Sequence, residues 1–121
     1  MYYFVASLLI FIGLAHSILG ERFILIRLFR RDNLPKLYGS DNFTKNTLRF
    51  AWHVTTVAWF GFAAVVVHLA DGELNVSVVW NIIAATFFVH FLISMMGAKG
   101  KHFSWVFFLL ISGIMGYLSN F

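Results

Sequence analysis

Residues Tyr2–Gly20 read YYFVASLLIFIGLAHSILG, a run without Asp, Glu, Lys or Arg that ends at Glu21 and Arg22. At 1.5 Å per residue, about 20 apolar residues cross a hydrocarbon core of roughly 30 Å. The run therefore predicts a membrane-crossing helix. It does not read as a signal peptide, which starts basic and ends at a small-residue cleavage site. The start here, Met1-Tyr2-Tyr3-Phe4, carries no basic side chain, and the basic residues come after the run. The segment is expected to be retained.

The same pattern recurs along the chain. Spans are expected at about 2–21, 50–69, 76–98 and 103–120, separated by Asp71–Asn75 and by Lys99–His102 in the last two gaps. The fold class is all-α: one integral membrane bundle of four transmembrane helices, a single domain over residues 1–121. Composition agrees, with 60% hydrophobic residues, 12% charged and 15 phenylalanines, against roughly 25% charged in soluble domains. A small water-facing domain leaves too much surface exposed to hide that load. The absence of cysteine excludes disulfides, thiolate metal sites and cysteine nucleophiles.

Charge sets the expected orientation. All nine Lys and Arg fall between Arg22 and Arg49 or at Lys99 and Lys101, and the Asp71–Glu73 turn has none. Basic loops stay on the cytoplasmic side during insertion, so both termini should lie on the other side, in a bacterial inner membrane. Insertion topology thus accounts for the net charge of +4, and no nucleic-acid partner is expected. Between the first two spans, Ile24, Leu25, Leu28 and Phe29 share one helical side and Arg27, Arg30 and Arg31 another. That suits an interfacial helix with basic side chains against anionic lipid. Phe23 breaks the pattern, and the alternative is a first helix that runs on. Asp32–Asn46 holds the only proline, Pro35, and reads as irregular, with Asp41, Asn42 or Thr44 as caps for helix two.

Small residues mark packing faces, because helices in lipid associate by close approach. Ala6, Gly13 and Gly20 recur every seven residues on helix one; helix four offers Ser112, Gly116 and Ser119. Trp52, Trp80 and Trp105 lie near span ends, where indoles favour the interface, and Trp59 lies deeper. Asn81, opposite His90 on helix three, marks an oligomer contact or a hydrogen bond to helix two.

The histidines carry the chemical question, since ionisable groups inside a membrane are costly and functional by default. Counting from the cytoplasmic helix ends, His53 lies about 6 Å in, His16 about 9 Å and His90 about 13 Å. His102 sits at the same surface, and Thr86, His90 and Ser94 form a polar ladder at spacing four. One reading is a transition-metal site for zinc, iron or copper built from His16, His53 and His90 with Glu21 or His102. A second is a haem b held by two histidines, with His53 and His68 separated by about 22 Å on one helix. Both serve redox chemistry or metal handling. The others are a proton or substrate path in an oligomeric transporter or channel, and hydrogen bonding that merely joins helices in an accessory subunit of a larger complex. Glu21 is expected to pair with Arg22 unless it turns toward His16 or His53. No nucleophile–base pair of recognisable geometry names a catalytic residue.

Overall fold

A computed structural model describes residues 1–121 and is all-helical, without strands. Four helices follow one another: α1 (Tyr2–Leu28), α2 (Asn42–Ala70), α3 (Val76–Gly97) and α4 (Ser104–Leu118). The first three are long and apolar enough to cross a membrane. α4 has 15 residues, about 22 Å of rise, and is shorter than the expected fourth span.

Two boundaries differ from the sequence expectation. α1 runs on to Leu28 through a π-helical segment, Gly20–Leu25, beyond the expected end near residue 21; of the two readings of this stretch, the continuing helix and not the separate interfacial one is found. α2 begins at Asn42, eight residues before Phe50. Hydropathy is blind to this first part because Asn42–Arg49 is polar on most sides. Asp41 occupies the N-cap position without a capping bond, and its carboxylate instead pairs with Lys45 one turn on at 2.8 Å. The Thr44 hydroxyl donates to the Pro35 carbonyl at 2.8 Å, tying the irregular connection to the new helix.

The other turns are sharp. Gly72 has φ +80° after α2, and the Asn75 side chain caps α3 by accepting the Val78 N–H. After α3, Lys99 and Gly100 both take positive φ, and the Gly100 N–H returns to the Met95 carbonyl, closing the helix end.

The helices pack as an open row. α1 touches α2, α2 touches α1 and α3, and α3 touches α2 and α4, while α1 and α4 do not meet. No helix is surrounded, and only 11 of 121 residues are buried. The side chains that let backbones approach are small: Gly13 lies against Phe60 and Thr56, Gly20 against Trp52, Gly61 against Thr86, and Gly97 against Phe50. Ala6 is buried, and Ser112 donates from α4 to the Ala84 carbonyl of α3 at 2.8 Å, with Gly116 beside Ala84. Ser77 joins the Ser119 carbonyl at the far end of that seam.

Candidate functional site

The polar side chains of α1 and α2 meet around the π-helical segment. A π turn widens the helix and frees carbonyls from regular pairing. Here the Gly20 N–H is shared between the His16 and Ser17 carbonyls, and the Trp52 indole N–H donates to the His16 carbonyl at 2.9 Å. The return contact brings His16 Nε2 to 3.3 Å from the Trp52 carbonyl. A carbonyl only accepts, so the hydrogen of this contact sits on Nε2. The two rings stack at 4.5 Å with 3° between planes, and Trp59 closes the edge of His16. Gly20 is required there, because a Cβ would overlap the Trp52 indole.

One turn away, Glu21 is held by α2. Its Oε1 lies 2.8 Å from Arg49 Nη2, and Oε2 accepts from Arg49 Nε at 3.2 Å and from His53 Nε2 at 3.1 Å. This two-pronged guanidinium contact is the strong form of an ion pair. The expected Arg22 partner is replaced, since the Arg22 guanidinium lies over the Phe23 ring at 5.5 Å. The carboxylate is 30% exposed, so water competes with both partners.

The network continues inward from the other imidazole nitrogen. His53 Nδ1 lies 2.9 Å from Ser17 Oγ, Ser17 Oγ 2.7 Å from Thr56 Oγ1, and Thr56 donates to the Gly13 carbonyl at 3.1 Å. Each hydroxyl has one hydrogen to give. Thr56 gives its hydrogen to Gly13, so the Ser17–Thr56 contact uses that of Ser17. The Ser17–His53 contact is then filled only by a hydrogen on Nδ1, beside the one on Nε2 that faces Glu21. With two ring hydrogens every contact is filled; with one, the chain lacks a hydrogen. The row ends on a backbone carbonyl, which can accept a hydrogen bond but not relay a proton.

The remaining histidines lie elsewhere. His90, on α3, is 5% exposed between Phe87 and Phe108, and its Nδ1 reaches the Thr86 carbonyl of its own helix at 2.6 Å. Of the expected polar ladder, Thr86 donates to Ile82 and Ser94 to Phe91, both within α3. His102 accepts the Ser104 N–H at the start of α4 and packs between Phe43 and Phe50. His68 accepts the Asn75 N–H in the opposite turn. Arg27, Arg30 and Arg31 are exposed, with Arg27 over the Phe23 ring.

Of the five residues expected to share a metal, the structure therefore joins Glu21 to His53 directly and sets His16 in the neighbouring turn. His90 and His102 sit in separate aromatic settings. No group of three or more His, Asp or Glu side chains is placed to hold a metal ion. The residues that sequence reasoning did not assign are Arg49, Ser17 and Thr56. Their signal was Ser17 one turn before Glu21, facing an Arg49–His53–Thr56 ladder on the next helix. The chain matches no protein-family model, no curated protein and no solved structure.

Proposed function

We propose that the chain is a bilayer-embedded subunit that assembles with its own copies, its basic loops cytoplasmic and both termini on the far side of a bacterial inner membrane. The observation that carries this reading is Asn81. The exposed positions of α3 include Val78, Asn81, Ala85, Phe88, Leu92 and Met95, spaced alternately by three and four residues. That is the seam of a helix pair, and one asparagine in such a seam fixes register. The Asn81 side chain makes no hydrogen bond within the chain and is exposed, although it lies in an apolar helix. An amide facing lipid alone is costly, whereas an amide facing its own copy has both a donor and an acceptor to offer. Insertion gives every copy the same orientation, so the two-fold axis runs along the membrane normal and each seam residue meets its counterpart. The Glu21–Arg49–His53 network then serves as the joint between α1 and α2.

The test uses the absence of native cysteine. Ala85→Cys in native membranes should give a covalent dimer on mild oxidation, whereas Ile10→Cys on exposed α1 should not. Asn81→Leu should weaken the dimer several-fold, from about 0.6 to about 1.7 kcal/mol for one interhelical polar contact. Equal crosslinking at both positions, or a monomer mass in lipid nanodiscs, sinks the reading.

A further inference from the structure

A groove of about 320 Å³ opens between α2 and α3, at the small end of ligand pockets, which run from about 300 Å³ upward. Its walls include Phe62 and Val65 of α2 and Val79 and Ile83 of α3. Gly61 has no side chain, and Thr86 packs directly against its backbone. The lining is apolar except at Thr86 and His90.

Both polar groups have already spent their hydrogens. The Thr86 hydroxyl donates to the Ile82 carbonyl at 2.7 Å. The short contact from His90 Nδ1 to the Thr86 carbonyl requires the imidazole hydrogen on Nδ1. In the uncharged ring His90 Nε2 is therefore a bare acceptor, and nothing in the chain donates to it. It is not sealed in, because the only fully enclosed side-chain atom without a partner is Thr47 Oγ1. His90 as a whole is 5% exposed, and it is one of the residues that line the groove. The site thus offers acceptors only, in an apolar slot well inside α3: His90 is about 10 Å from the Gly97 end and about 21 Å from the Val76 end.

We propose that this groove binds an apolar, membrane-soluble phenol or hydroquinone, whose hydroxyl donates to His90 Nε2 while its ring and tail lie along α2 and α3. An ordinary phospholipid does not fit the requirement, since its polar groups stay at the surface and its tails donate nothing. The oxidised quinone does not either, because its carbonyls are acceptors facing acceptors. This assignment is independent of self-assembly through Asn81, which lies on the opposite arc of α3.

The experiment compares 4-heptylphenol with 4-heptylanisole, matched in shape but without the hydroxyl hydrogen, on full-length protein in nanodiscs labelled with 15N-histidine. The phenol should bind about five-fold or more tightly, the worth of about one hydrogen bond, and should move the unprotonated nitrogen signal of His90 alone. His90→Phe should abolish the preference while retaining weak binding of both. Val79→Trp, which fills the groove and leaves His90 in place, should abolish binding of both. Equal affinity for phenol and ether, an unmoved His90 signal, or undiminished binding to Val79→Trp overturns the proposal.

Discussion

The α1–α2 seam and the α3–α4 seam each contain a histidine on an apolar helix, and they treat it in opposite ways. Between α1 and α2, both nitrogens of His53 are engaged, by Glu21 and by Ser17. Between α3 and α4, His90 bonds only backward to its own helix and is otherwise cased in phenylalanine. The first ring joins two helices; the second packs like an aromatic and keeps one nitrogen in reserve. The difference comes from neighbours. α1 supplies hydroxyl, carboxylate and a widened turn, whereas α4 facing His90 supplies Phe108.

The largest effect is expected at Gly20. Gly20→Leu drives a side chain into the Trp52 indole and forces the polar seam apart. Overpacking costs about 1–3 kcal/mol and occasionally more, and the separated hydrogen bonds add to it. The expected outcome is a destabilisation of about 3 kcal/mol in SDS titration followed by circular dichroism, with loss of the Trp52 fluorescence environment. A variant as stable as the parent would show that the seam does not depend on this close approach.

Replacing each histidine by phenylalanine sharpens the contrast. His53→Phe removes a donor from Glu21 and strands Ser17, and should cost about 1.5–3 kcal/mol, as for hydrogen bonds to charged groups. Solvent at the exposed carboxylate favours the lower end. His90→Phe keeps the aromatic packing and gives up one contact within α3, so it should cost less than about 1 kcal/mol. The same titration ranks them, and the reverse order would dissolve the distinction.

The smallest effect is coupling. Ser17→Ala should cost about 0.6–1.7 kcal/mol alone. Combined with His53→Phe it should cost clearly less than the sum, because both remove the same contact; combined with His90→Phe it should add within about 0.5 kcal/mol. Additivity in both pairs would mean that Ser17 and His53 do not share a bond.

The sequence made the helices legible and left their neighbours hidden. Apolar length located the cores of α1, α2 and α3, because the physics of burial acts on runs of residues. It missed the first part of α2, where Phe43, Thr44 and Lys45 form helix through local contacts rather than hydropathy. The depths of His16, His53 and His90 could be counted along each helix, yet a shared leaflet says nothing of which helices touch. In an open row His90 belongs to a different seam from His16. Glu21 was open between Arg22 and a turn toward His16 or His53; it turns to His53 and Arg49, from a π turn at Gly20–Leu25 where the regular rotation of about 100° per residue does not hold. Nothing in GERFIL announces that turn before Trp52 is placed against it.

The open row bears on how the chain is made. Every interhelical contact joins elements adjacent in the polypeptide, so each helix finds its packing partner already synthesised when it emerges. No stretch must wait for the last one to arrive, and little loop-closure entropy opposes docking. Assembly can thus proceed in step with translation, one hairpin at a time from the N-terminus.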